Sequence, residues 1–160
     1  MTWEEVCADP CLQDLPYRIE LNQWGNIEMS PIWIRHSELQ GEVRHLLSTL
    51  RPAGMALAAC AVETAENVKV SDVVWVSFER RRSTPHEFAY AVAPEICVEI
   101  LSPSNQLEEM MHKGALYLRG GAEEFWLCDD KGTMSFFDTA GKLERSRLCP
   151  QFPTRVEIPD

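Results

Sequence analysis

APEICVEIL, residues 93–101, decides the fold of this chain, because it reads as a buried strand yet carries a carboxylate in its middle. From Pro94 to Leu101 the run is nearly continuous in apolar side chains, the pattern of a strand covered on both faces at the centre of a sheet. Glu99 interrupts it. An ionised carboxylate in an apolar layer is costly unless something solvates, pairs or coordinates it; otherwise its pKa shifts until it neutralises. Alternation along a strand places Cys97, Glu99 and Leu101 on one face and Val98 and Ile100 on the other, so Glu99 can point at a residue of a neighbouring strand.

Working outward, Ser104 or Asn105 is placed to cap a following helix, and Asn105 with Glu108 forms a box-like arrangement. That helix is expected to run to about Arg119 and stop at Gly120 and Gly121. EEFWLCDD, TMSFFDT and KLERSRL then read as three further strands joined by DDKG and TAGK turns. Upstream, MALAACAVET and VKVSDVVWVSF are strands separated by the polar AEN, and DVVWV is apolar enough to lie beside PEICVEIL. RRRSTPHEFA reads as a loop, in which Arg80, Arg81 and Arg82 are either a solvated turn or a contact for phosphates.

Near the N-terminus, YRIELNQWGNIEMSP reads as a hairpin turning at NQWGN. In HSELQGEVRHLLSTL, residues Leu39, Val43, Leu46, Leu47 and Leu50 recur at helical spacing. Ser37 and Gln40 supply a Ser-x-x-Gln capping box, and Pro52 and Gly54 end the helix. The order of hairpin, helix, strands, central strand, helix and strands predicts an α/β layer fold, a central mixed β-sheet flanked by helices. With 160 residues, 45% of them hydrophobic, the chain is sized for a single domain over 1–160, of which 1–15 is an N-terminal extension.

Composition narrows the function. No run of about 18 apolar residues is present, and MTWEEVCADP lacks a basic region followed by an apolar one. The expectation is a cytoplasmic protein with no membrane partner. Cys60, Cys97 and Cys128 sit in apolar runs and read as small hydrophobes, while Cys7 and Cys11 are a close pair with no second pair at zinc-site spacing. The formal net charge of -10 argues against a general basic surface for nucleic acid.

Asp72, Glu99 and Lys113 ask for a common explanation. Two carboxylates on adjacent strands suit a hard divalent cation, Mg²⁺ or Mn²⁺, and an open cation site activates water for attack on a phosphodiester. On the helix, Lys113 and Tyr117 share a face. Blander readings stand beside this one: Asp72 as a turn residue at a strand start, and Lys113 as the partner of Glu109 in an exposed helix pair. Glu99 resists such a reading, because an exposed pair does not account for a carboxylate in a buried strand.

At IEMSP followed by HSELQ, then SDVVWV, PEICVEILSPS, EEMMHKGALYLRGGAEEFWL and the closing FP, the chain resembles the Uma-two family of restriction-endonuclease-like proteins, over residues 17–158. The resemblance implies the restriction-endonuclease-like fold of the PD-(D/E)xK nuclease superfamily. It implies that Asp72 and Glu99, with the carbonyl of Ile100, hold Mg²⁺ or Mn²⁺. The superfamily lysine usually stands two residues after the acid, where this chain has Leu101, so the resemblance assigns its role to Lys113 on the next helix. There it would orient the attacking water and offset charge on the phosphate. Glu42 is the candidate for an additional acid, against a solvated helix face. His36 matches a family histidine and either lines the cleft or anchors the helix start; Tyr117 and Trp126 read as core aromatics.

The function so implied is a metal-dependent endonuclease hydrolysing DNA phosphodiester bonds, acting as a homo-oligomer, with a dimer expected. The alternative is a nuclease-fold protein of weak or no activity that serves as an interaction or assembly domain, which the net acidity favours. A third reading is a structural dimer domain in which Glu99 is paired with Lys113 or an arginine.

Overall fold

The computed structural model describes residues 1–159. A short helix α1 (Trp3–Ala8) precedes the hairpin β1 (Tyr17–Leu21) and β2 (Ile27–Pro31). The hairpin turns because Asn22 Oδ1 accepts from the backbone N–H groups of Trp24 and Asn26, and Gly25 takes a φ of 77° that a side chain would resist. Helix α2 (Ile34–Leu50) follows, then β3 (Gly54–Thr64) and β4 (Asn67–Ser77), a short α3 (Phe78–Ser83), β5 (Ile96–Ile100) and α4 (Leu107–Arg119). Strands β6 (Glu124–Cys128), β7 (Met134–Asp138) and β8 (Gly141–Leu143) complete the order.

The six later strands form one sheet in the order β3-β4-β5-β6-β7-β8, antiparallel throughout except where β5 and β6 run parallel with α4 as their crossover. The hairpin is a separate two-stranded sheet. Alternation sorts the central strands between two cores. On one face Leu39, Val43 and Leu47 of α2 meet Val73, Trp75, Val98, Ile100 and Trp126. On the other, Met110 and Tyr117 of α4 meet Val74, Cys97, Phe125 and Leu127. Side chains such as Trp75, Trp126 and Phe125 are almost wholly enclosed, each contributing about 1.5–3 kcal/mol by burial. As expected, β5 is a central strand, paired through Val73–Trp75 to β4.

Three local expectations fail. Helix α2 begins at Ile34, with Trp33 as a cap that makes no side-chain hydrogen bond, so the Ser37 and Gln40 box does not form. Extending the helix by a turn carries His36 into the interior and frees Gln40 to reach Asp72. Helix α4 likewise lacks its side-chain cap, because Asn105 Oδ1 accepts instead from the N–H and hydroxyl of Ser102 and closes the preceding loop. The arginine run is helix α3, capped by the Ser77 hydroxyl, and Arg80 is a tie: it donates to the carbonyls of Ala93 and Gly121 and pairs with Glu95.

Candidate active site

The candidate site is a fault in the ladder between β4 and β5. Register pairs Val73 with Val98, Val74 with Cys97 and Trp75 with Ile96, and the next pair would be Asp72 with Glu99, where pairing stops. Side chains take over the orphaned backbone groups: Asp72 Oδ2 accepts from the Ile100 N–H at 2.7 Å, and the Ser71 hydroxyl donates to the Val98 carbonyl. The opposite edge of β4 is irregular at the same residue. Ala59 of β3, which register would set against Asp72, stands in the left-handed region at φ 50°, and the Asp72 carbonyl accepts from Gln40 Nε2. Asp72 is thus a break in the middle of a long strand and not a turn residue at its start.

Around this fault Asp72 and Glu99 are both fully buried. Arg18 of β1 pairs with Asp72 Oδ1, and its Nη1 lies 3.9 Å from Glu99 Oε2. His36 Nε2 lies 3.1 Å from Asp72 Oδ2 and 3.0 Å from Arg18 Nη2. Tyr117 donates its hydroxyl to Glu99 Oε1 at 2.7 Å. Lys113 Nζ sits 2.9 Å from the same oxygen, 2.7 Å from Glu20 Oε1 and 3.4 Å from the Val70 carbonyl, so three acceptors meet its three donors. Glu20 Oε1 also accepts from the Val70 N–H.

Three carboxylates, Asp72, Glu99 and Glu20, therefore face two permanent cations, Arg18 and Lys113. Burial pushes Glu99 up to about 8, with Lys113 opposing the rise and Asp72 adding to it, the direction that relieves this excess of negative charge. Burial pushes Asp72 upward too, but the His36 hydrogen bond and the Arg18 charge outweigh it and hold this carboxyl below its ordinary range. Lys113 is disfavoured by burial, yet Glu99 and Glu20 raise it above the ordinary lysine value.

The structure thus brings Asp72, Glu99, Lys113, His36 and Tyr117 together, and Ile100 joins them through its amide. Lys113 does not pair with Glu109 on an exposed face; it is buried. Tyr117 is both a core aromatic and a member of the cluster, whereas Trp126 belongs to the opposite face and donates to Glu124. Glu42 takes no part in the cluster's hydrogen bonds or ion pairs among the described residues. Arg80 is bound to Glu95, at the far end of β5 from Glu99; four residues of strand are about 13 Å.

The sequence pattern of the Uma2 family, whose description reads "Putative restriction endonuclease", matches residues 3–154. This chain belongs to the Uma2 family. Its match begins fourteen residues ahead of the hairpin, so α1 lies inside the Uma2 region. Among curated proteins none matches the chain. A solved structure from Anabaena variabilis, described as a "putative nuclease belonging to DUF820", shares the fold at a TM-score of 0.65 and 20% identity, over 99% of this chain and 85% of that one.

Within the Uma2 chain, the members of the cluster that sequence reading missed are Arg18, Glu20 and Gln40. Arg18 and Glu20 are two residues apart on β1 and so share a face, which is the available signal. Nothing local says which strand that face meets. Two recesses flank the cluster. One of about 350 Å³ is lined by Arg35, His36, Leu101 and Ser102. The other, of about 300 Å³, reaches Lys113 past Glu20, Glu28, Glu66 and Glu109, which outnumber its cations Lys69 and Lys113. A further recess of about 630 Å³, between the N-terminus and residues 85–89, holds none of the site residues.

Proposed function

We propose that this chain is a divalent-metal-dependent endonuclease acting on DNA phosphodiester bonds, with Asp72 and Glu99 as its metal-binding acids. The observation that carries the reading is the state of two oxygens. Asp72 Oδ1 and Glu99 Oε2 are buried carboxylate oxygens that face no donor but the Arg18 guanidinium, on the two residues that register sets against each other. Their remaining oxygens are fixed, Asp72 Oδ2 by the Ile100 amide and His36, and Glu99 Oε1 by Tyr117 and Lys113.

Such a donor set suits Mg²⁺ or Mn²⁺, which favour oxygen ligands, and not zinc. Among the described residues no group of three or more His, Cys, Asp or Glu side chains is arranged to hold a metal. Two carboxylates and the Ile100 carbonyl would leave positions open for water and a phosphate oxygen. A cation held there would supply Lewis-acid polarisation of the phosphate and a more acidic water. The chain's own part is to hold the two acids. Lys113 and Tyr117 set the orientation of Glu99, and Lys113 offsets charge that develops on the phosphate. The recess beside Arg35 and His36 is the side suited to a polyanion, since the recess at Glu20 and Glu66 would repel one.

A second reading has support of its own. Arg18 and Lys113 offset most of the charge of Asp72, Glu99 and Glu20 without a metal ion, and the protein carries a net charge of -10, as an assembly domain that retained a nuclease fold would. Plasmid cleavage with Mg²⁺ and Mn²⁺ by wild type and Glu99→Gln separates the two, with folding of each checked by thermal melting. The nuclease reading expects cleavage by wild type and a loss on the order of a hundredfold or more in the variant. Absence of cleavage by folded wild type across single- and double-stranded substrates would select the assembly reading.

A further inference from the structure

Arg18 stands where a shared cation would have to stand. Its guanidinium pairs with Asp72 Oδ1 and approaches Glu99 Oε2 at 3.9 Å, and neither oxygen meets any other donor among the described residues. A guanidinium is a planar, permanently charged fork suited to spanning oxygens of this kind. We infer that Arg18 is a tethered cation occupying the metal position, and that divalent metal binds by displacing its side chain from between Asp72 and Glu99. The inference rests on the metal-binding reading of these two acids.

Three observations carry it. Arg18 comes from the β1–β2 hairpin, a sheet separate from the one that bears both acids, so its side chain can withdraw without disturbing either ligand strand. With its side chain 18% exposed, against 0% for Asp72 and Glu99 and 6% for Lys113 and His36, it is the member of the cluster with the most open way out. His36 supplies the third. Its Nε2 lies within reach of both Arg18 Nη2 and Asp72 Oδ2, and a ring nitrogen that donates to the carboxylate cannot also accept from the arginine, so the two compete for one atom. Departure of Arg18 leaves Nε2 to Asp72 Oδ2 alone, which holds the carboxylate while Oδ1 is free for metal.

A guanidinium and a dication at the same two oxygens exclude each other by charge and by volume. The apparent metal affinity of wild type is therefore reduced by the fraction of molecules in which Arg18 is withdrawn. Removing the guanidinium removes that competition. The displaced arginine would remain tethered at the mouth of the site, where its charge suits a phosphate oxygen.

Calorimetric titration of metal-free protein with Mn²⁺ tests this on wild type, Arg18→Gln and Arg82→Gln, the last removing one exposed charge of α3. The expected result is binding about tenfold tighter or more in Arg18→Gln, with Arg82→Gln like wild type. The Mn²⁺-induced rise in melting temperature should likewise be larger in Arg18→Gln than in wild type. Should Arg18→Gln fail to fold, Arg18→Lys serves, since a single ammonium spans the two acids less well, and tighter binding is again expected. Affinity unchanged or weakened in the folded Arg18 variant, while wild type binds Mn²⁺, would overturn the displacement and leave the metal site standing. Absence of Mn²⁺ binding by both wild type and the Arg18 variant would overturn the metal-binding reading and this inference with it.

Discussion

Glu99 and Glu124 lie on the neighbouring parallel strands β5 and β6, both buried, and they are held in opposite ways. Glu124 Oε1 accepts from the N–H groups of Arg147 and Leu148, and Oε2 accepts from Trp126 Nε1 and the Ser146 hydroxyl. Four donors satisfy one carboxylate and fasten the C-terminal segment to the sheet. Glu99 has its hydrogen bond on Oε1 alone and leaves Oε2 facing Arg18. Structural duty saturates a buried carboxylate, and Glu99 is conspicuously unsaturated.

Glu124→Ala is therefore expected to cost on the order of 3–5 kcal/mol, because it strands four donors in the interior. Glu99→Gln, which preserves shape and an acceptor for Tyr117, is expected to leave stability near pH 7 at or above the wild-type value. Urea unfolding of both variants at that pH checks the contrast.

Stability should also respond to pH through Glu99. Its folded value of about 8 lies above the ordinary 4.5, so between those two values the unfolded chain has released a proton that the folded chain retains. Stability consequently falls as pH rises through this window and levels off above it. Asp72 acts with the opposite sign and lower down: its folded value is below the ordinary 3.8, and its contribution is lost only as pH falls through that lowered value. A urea series between about pH 5.5 and 8.5 should show a steeper decline for wild type than for Glu99→Gln. Parallel curves would mean that Glu99 is ionised throughout.

Lys113→Met should be destabilising by on the order of 3–5 kcal/mol, since it removes the partner of two buried carboxylates. An exposed helix pair would have been worth a few tenths of that unit. Adding Glu20→Gln to Lys113→Met should recover part of the loss, and a double-mutant cycle measured by chemical unfolding gives the coupling.

Gly114→Ala tests the crossover that places Lys113. A Cβ at this position would fall 2.2 Å from Phe125 Cδ1, so α4 rests against β6 at a distance only glycine permits. Overpacking costs about 1–3 kcal/mol, against a gain of up to about 1 kcal/mol in helix propensity. A net fall in melting temperature of a few degrees is expected by calorimetry.

What the sequence determined by itself is local in origin. Strand periodicity and apolar continuity marked β5 as central and Glu99 as anomalous, and the helical spacing of Leu39, Val43 and Leu47 marked the core face of α2. Asp72 and Lys113 were legible as partners of Glu99 largely through family resemblance, because their blander local readings were sound until burial was known. Tertiary structure alone decided the rest. It set the helix starts, where contacts of His36 and Ser102 override the capping signals at Ser37 and Asn105. It broke β4 at Asp72, since a ladder's end depends on the partner strand. It also delivered Arg18 and Glu20 from a hairpin, Glu20 standing 93 residues before the Lys113 it meets. Charges in a surface-like strand carry no address, and only the docking of that strand on β4 turned two of them into the balance of a buried site.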